Sequence, residues 1–385
     1  MRCSVPTCPA MTQTPPGTIA TDLAIEPATP DLRLNAATKV LWRDAHTVQF
    51  ELGTRRIIIE NVATRQLRPL LPSAGRGSRH TERAADRAPV ETAGLGKLRD
   101  LLDRFGFLCP QEDTPALDSS AAGIPVQLRP ELRAMVSTHG SRSGQVLNAR
   151  RQAAVAVHGT TRLATTVAAT LAAAGVGWVQ LLHGGDVHAA DACPGGLTPA
   201  DEGRRFGVAA VDAVRRAAPD VDTTPIPRDR VADLVILTDP GPIDPTVRAS
   251  LHLDGSAHLL ASVDGQHAVI GPLVLPGVTS CLRCADLHRG DRDPAWPALV
   301  VQLANRGRYR TASDVALCVA TAGLATTHAI AYLDGQHSAT VEGTLEWRLP
   351  DWRLRRRTWP VHHKCDCGAS ARSARTRQNG TVILR

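Results

Sequence analysis

The sequence predicts an α/β protein with a mostly parallel sheet, preceded by a small α+β module, and three observations lead there. The chain has 385 residues, 43% of them hydrophobic and 21% charged, long enough for two cores because single cores stop growing near roughly 250 to 300 residues. From Ala153 onward, short apolar runs bounded by glycine alternate with helical stretches, the pattern of strands joined by crossover helices. Ahead of them, β-rich runs and short helices share fewer than about 100 residues, enough for a small separate core only.

Residues 1–29 are rich in Pro and Thr and hold no charged stretch followed by an apolar one. Residues 1–30 therefore read as the disordered N-terminus of a cytoplasmic protein. Residues 39–52 and 55–61 are β-rich, and the turn around Gly53 predicts a hairpin. A short helix is expected over 62–71, with Pro69 disturbing its last turn. Leu95, Leu98, Leu101, Leu102 and Phe105 recur at helical spacing, and Gly106 supplies a stop. Residues 31–110 thus read as a winged-helix-like module, with an exposed edge over 55–60 and with Leu98, Leu101, Leu102 and Phe105 mostly in its core. Residues 111–127, acidic and Ser/Pro-containing at their start, read as a linker.

The α/β domain is expected over 128–367. Residues 153–157 form a buried-type strand, Gly159 opens a turn, and 162–174 carry apolar residues on all faces, as a helix packed on a sheet would. Strands over 178–182 and 234–237 and a helix over 203–218 complete a Rossmann-like, mostly parallel arrangement. The uncharged stretch 163–182 approaches membrane-spanning length, but Gly175 and Gly177 divide it into helix, turn and strand, so no membrane association is expected. Then come a strand-rich region over 257–274 and a long helix over 312–332 stopped by Gly335. A hairpin over 344–357 turns at Pro350-Asp351, and 368–385 read as a disordered tail.

Aromatic residues make up 3% of the chain, so the core is aliphatic and a base-stacking reader of single strands is disfavoured. Of 44 basic residues only Lys39, Lys97 and Lys364 are lysine. Such an arginine skew, with abundant Ala, reflects coding bias, so the net charge of +7 is not taken as a sign of nucleic acid.

Nine cysteines in a cytoplasmic chain stay reduced, so paired ones point to metal. Cys281 and Cys284 form a C-x2-C pair, and Cys365 and Cys367 a C-x-C pair far downstream. Four thiolates suit tetrahedral zinc with no open position for water, hence a structural ion clamping the C-terminal hairpin to the domain. His288, His362 and His363 are the substitutes if Cys367 falls short. The plain alternative is four unrelated buried cysteines. Cys318 reads as packing in the long helix, and Cys3, Cys8, Cys109 and Cys193 receive no role.

Three stretches carry a resemblance. Ala154-Val155-Ala156-Val157-His158-Gly159 leads into Leu171-Ala172-Ala173-Ala174-Gly175-Val176-Gly177; Pro194-Gly195-Gly196-Leu197 follows; and Gly271-Pro272-Leu273-Val274-Leu275-Pro276-Gly277 runs toward Cys281 and Cys284. Together they resemble the ubiquitin-activating-enzyme-like superfamily of ThiF and MoeB type adenylyltransferases over roughly residues 153–367. The nearest likeness is to the proteins that partner cyclodehydratases in making thiazole/oxazole-modified peptides of the bacteriocin kind.

The resemblance implies an ATP and magnesium site, in which a Gly-rich turn brings backbone N–H groups to phosphates at a helix N-terminus. Here the turn is Gly159-Thr160-Thr161-Arg162-Leu163-Ala164, and Thr161 and Ala164 carry Cβ atoms where close approach is needed. His183 and Gly185 stand where the family has its ribose-binding acid and a second Asp, and Phe206 where it has a Lys. Gly159 and Asp239, in Thr238-Asp239-Pro240, remain as the residues of a degenerate cofactor site. These departures argue against ATP and magnesium. Arg162 and Arg204 are left as possible anion contacts.

The N-terminal module in turn resembles the winged-helix clamp that binds leader peptides as an added strand. The leading reading is a non-catalytic or weakly active scaffold that binds a precursor or leader peptide and docks a cyclodehydratase, a homodimer being left open. The alternatives are an ATP-dependent adenylyltransferase and a zinc-containing DNA-binding regulator. The latter rests on the winged-helix-like module together with Arg353, Arg355, Arg356 and Arg357, and those arginines more simply form a solvated face.

Overall fold

The computed structural model describes residues 32–110, with gaps of which 71–91 is the longest, and residues 123–369 apart from 160, 183, 228 and 306–312. The expectations for 1–30, for 111–122 and for the tail beyond 369 fall outside the described residues, as does most of the helix expected over 62–71.

The N-terminal part holds strands β1 (Leu32–Leu34), β2 (Lys39–Trp42), β3 (Val48–Leu52) and β4 (Arg55–Ile59), helix α1 (Thr92–Arg104) and strand β5 (Leu108–Pro110). β2, β3 and β4 form an antiparallel sheet in that order, and β1 pairs with β5. The hairpin of β3 and β4 is joined by a second one, because the Asp44 carboxylate accepts the N–H groups of His46 and Thr47 at 2.8 and 2.7 Å and turns β2 into β3. Val48, Phe50 and Leu52 alternate inward and meet Leu98 and Leu102 of α1. Phe105 is not core as expected: it is 49% exposed, whereas Phe107 is 1% exposed. The Phe107 N–H donates back to the Leu102 carbonyl at 2.8 Å, so the chain doubles back after α1 and delivers the second phenyl, with its ring centroid 6.2 Å from Phe50. Leu101 is only half-buried.

The larger part begins with two helices that the sequence reading did not anticipate, α2 (Arg129–His139) and α3 (Ser143–Gln152). Then follow β6 (Ala154–His158), α4 (Arg162–Ala173), β7 (Trp178–Leu182), α5 (Phe206–Ala217), β8 (Leu234–Leu237), α6 (Pro245–Leu253), β9 (His258–Asp264) and β10 (His267–Val274). Helices α7 (Leu282–Arg292), α8 (Trp296–Asn305) and α9 (Val315–Leu333) lead to β11 (Gly343–Arg348) and β12 (Leu354–Thr358). The sheet order is β12-β11-β10-β9-β8-β6-β7. β7, β6, β8 and β9 are parallel, and β10, β11 and β12 extend them as an antiparallel meander.

Helix α4 is apolar all round because Leu163, Val167 and Leu171 join one core with Val155, Val157 and Val179 of the sheet and Leu317, Ala322 and Ala325 of α9. The stretch 163–182 does divide into α4, a turn and β7. Gly177 is required in that turn, since a Cβ there would lie 1.7 Å from the Arg151 carbonyl oxygen. Among the described residues α9 is long and apolar enough to cross a bilayer, yet its inward residues are part of this core. Arg150, 1% exposed, ties the added helices to the C-terminal ends of α4 and α9. It donates to Asp334 at 3.0 and 2.6 Å, to Glu131 at 2.8 Å and to the Ala174 carbonyl at 2.7 Å, so burial of its charge is compensated on three sides.

Candidate functional site

The four cysteines converge. Cys281 precedes α7 in extended conformation and Cys284 lies in the first helical turn, while the segment after β12 brings in Cys365 and Cys367. All four are buried, and their sulfurs lie within 4.8 Å of one another. Cys281 Sγ is 3.8 Å from Cys284 Sγ and 3.6 Å from Cys365 Sγ, and Cys284 Sγ is 3.8 Å from Cys367 Sγ. A tetrahedron of Zn–S bonds near 2.3 Å has edges of about 3.8 Å, so the donor set and its spacing fit zinc. Without a cation the cluster shares its protons unequally. The bond to Cys284 and burial raise the pKa of Cys281, the same bond lowers that of Cys284, and burial raises that of Cys365. A divalent ion removes the conflict by favouring the thiolate at every position.

Cys367 reaches the cluster, so no histidine is needed to replace it. The His362 Nε2 donates to Asp291 at 2.8 Å and its Nδ1 accepts the Lys364 N–H at 3.1 Å, which occupies both ring nitrogens. His288 Nε2 donates to the Pro360 carbonyl at 3.0 Å, and His363 stacks on His362 with centroids 4.6 Å apart. His288, Asp291 and His362 also gather three possible ligand atoms, but these hydrogen bonds make them a brace for the cysteine-bearing segment. Cys318 is packed in the core beside α4.

At the C-terminal ends of β6 and β8 the residues expected of a nucleotide site meet only in part. Gly159 has φ of +151°, and a Cβ there would lie 2.0 Å from Thr238 Oγ1 and 3.0 Å from Asp239 Oδ1. Only glycine fits so close an approach, and it sets Gly159 beside Asp239. Phe206 is 1% exposed, packed with Val187, Leu197, Ala209 and Ala210. Its N–H, the first of α5, donates to the Gly185 carbonyl at 3.0 Å. Helix α5 therefore begins on a buried phenyl, with its first N–H already satisfied. Ala164 is fully buried in the first turn of α4. Arg204 pairs with Asp201 at 2.6 Å and with Asp212, and Arg162 donates to the Ala190 carbonyl, so both hold protein groups. His183 lies outside the described residues. Sequence reasoning missed the fate of the Phe206 ring, which the resemblance set at the family's lysine position and which is buried in a small apolar cluster.

No protein-family profile matches the sequence, and no characterised protein matches it by sequence. The fold is that of the ThiF/MoeB-type, ubiquitin-activating-enzyme-like proteins. The structure is similar to MccB of E. coli solved with succinimide, at TM-score 0.64 and 14% identity over 88% of this chain and 99% of that one. It is likewise similar to the E. coli MccB complex with AMPCPP and MccA, at TM-score 0.63 and 14% identity over the same shares. PaaA is similar at TM-score 0.58 and 16% identity, over 84% of this chain and 99% of the other.

Proposed function

We propose that this chain is a ThiF-like scaffold of a peptide-modification system, which binds a leader or precursor peptide and docks a modifying enzyme of cyclodehydratase type without adenylating anything itself. The observation that carries it is the buried Phe206 phenyl with its N–H already donating to Gly185, at the position where the resemblance implies lysine in active members. That MccB has been solved with MccA supports a peptide as the partner. Zinc held by Cys281, Cys284, Cys365 and Cys367 would join α7 to the segment after β12, supplying stability and no chemistry. The reduced thiols suit a cytoplasmic setting. The sheet β2-β3-β4 with α1 acts in this reading as the winged-helix-like clamp, β4 being an edge strand on which Ile58 is exposed.

One observation favours the second reading, an ATP-dependent adenylyltransferase: Gly159 and Asp239 stand together as a nucleotide and magnesium site would need. Calorimetric titration with ATP and magnesium, together with ATP–pyrophosphate exchange in the presence of candidate peptides, separates the two. The scaffold gives no exchange and no saturable ATP binding. Micromolar ATP binding that Asp239→Ala abolishes would establish the adenylyltransferase instead.

A further inference from the structure

The edge of the seven-stranded sheet remote from β7 is β12, and all five of its residues are exposed. β11 pairs with one side of it, and among the described residues no strand pairs with the other. Such an edge offers a row of backbone N–H and C=O groups to any strand able to approach.

What can approach is set by charge. In the register Thr344↔Arg357 and Glu346↔Arg355, Arg355 and Arg357 fall on one face of the strand, and Trp359 continues the alternation. Trp359 is 1% exposed and anchored by its Nε1 donating to Thr344 Oγ1 at 3.0 Å. Around its ring stand the guanidiniums of Arg289, Arg292 and Arg357 at 4.7, 5.4 and 5.6 Å. Arg289 also lies 5.4 Å from the Trp296 ring, which places it between two indoles. Stacking of this kind holds a guanidinium in place while leaving its N–H donors available. Carboxylates offset part of the charge: Asp286 lies 2.9 Å from Arg289, Glu346 3.2 Å from Arg357 and Asp351 2.6 Å from Arg355. Arg292 has no such partner among the described residues. Next to the shelf Trp352 is 70% exposed and held at φ of +59°, an uncommon conformation for a bulky side chain, and Leu354 is 48% exposed.

We propose that β12 is a docking edge for an extended acidic segment of a partner protein, which adds as a strand and sets carboxylates at alternate positions against Arg355, Arg357 and Arg292. Trp352 and Leu354 supply apolar contact at its end. Alternation follows from strand geometry, because only every second side chain of an added strand faces this shelf. A second copy of β12 is a poor occupant, since like charges placed opposite each other on paired strands repel. Charges on an edge also serve to discourage association, but that role needs neither guanidiniums fixed around a buried indole nor an exposed tryptophan in left-handed conformation. This edge is distinct from β4 and does not depend on the peptide-modification reading.

The test uses the full chain and a fluorescent peptide alternating glutamate with threonine. Its comparators have the same composition with the glutamates in one block, or the same sequence N-methylated at alternate amides. Anisotropy should show the alternating peptide binding, with both comparators weaker. The double variant Arg355→Glu/Arg357→Glu should bind it about tenfold more weakly, with metal content and melting temperature unchanged. The peptide comparison on the parent chain stands even if that variant fails to fold. Equal binding of the blocked or N-methylated peptide would overturn the proposal. So would an oligothymidine that binds as tightly and is lost in the same variant, which would make the shelf a nucleic-acid patch. A dimer in sedimentation that the double variant dissociates would make it a self-interface and overturn the proposal too.

Discussion

The cysteine cluster, read from residue spacing, and the residues that the resemblance aligns with a nucleotide site fare in opposite ways in this chain. The cluster is complete, with four buried sulfurs at metal-ligand spacing. The residues aligned with a nucleotide site keep Gly159 beside Asp239, while Phe206 and Ala164 are buried in apolar clusters and the Gly185 carbonyl takes a helix N–H. The contrast follows from how each site fails. Removing one thiolate leaves the other donors crowded without a full coordination shell, so the four residues stand or fall together. Contacts to a nucleotide act separately, and a buried phenyl can replace one of them and add packing energy.

The largest expected effect breaks the complete side. Purified protein should carry about one zinc per chain, and a structural zinc is worth roughly 10 to 16 kcal/mol of apparent binding free energy in small fingers. Cys284→Ser, or a strong chelator, should therefore release the metal and unfold at least the region around α7 and β12, followed by metal analysis and circular dichroism. Protein prepared without chelators that contains no zinc would remove the distinction between the two sites.

The next effect tests what the buried Phe206 contributes. Phe206→Ala should destabilise by about 3 to 5 kcal/mol, and Phe206→Lys by at least as much, because an ammonium would be buried among Val187, Leu197, Ala209 and Ala210. Urea unfolding measures both. A lysine variant as stable as the parent that gained ATP binding would show a latent nucleotide site.

A smaller effect concerns β4, where Ile58 is 44% exposed opposite Gln49. Ile58→Pro removes a backbone donor from the edge strand. It should weaken leader-peptide binding about tenfold, the equivalent of one charge-free hydrogen bond and some ordering, while zinc content stays constant. Normal peptide binding by this variant would remove the clamp reading without touching the metal site.

How far these regions were legible depended on locality. β6, β7 and β8 could be read because their apolar runs end at glycines or turns, and the cysteine pairs because each is local in sequence. α2 and α3 were missed since their exposed faces are polar and only Leu132, Met135, Val136 and Leu147 with a few neighbours are buried, a weak periodic signal. The β1–β5 pairing joins strands far apart in sequence, and nothing local announces it. Arg150 looked like any of the chain's 41 arginines, yet its partners Glu131 and Asp334 come from α2 and from the residue after α9. Phe105 and Phe107 are nearly interchangeable by pattern, and the turn after α1 decides between them.

The smallest effect lies on the metal side of the sheet. His258 opposes Val235 in register, on the face whose apolar residues pack with the cysteines. Its Nδ1 donates to the Ser256 carbonyl at 2.9 Å, and its Nε2 is buried without a partner among the described residues. Burial therefore holds its pKa below the usual histidine range, with His252 adding a like charge when protonated. The unfolded chain takes up a proton below about pH 6.5 while the folded one does not, so the unfolded state binds more protons and stability falls as pH drops through that window. His267 and His328 are depressed by burial as well, so a residual slope persists in any single variant. Replacing His258 with Met should flatten the acid side of the stability curve below about pH 6.5, each unit of pKa separation being worth about 1.4 kcal/mol. Thiolate protonation is common to both proteins, so the difference between their curves isolates the histidine. Parallel curves would mean that acid acts on this face through the cysteines alone.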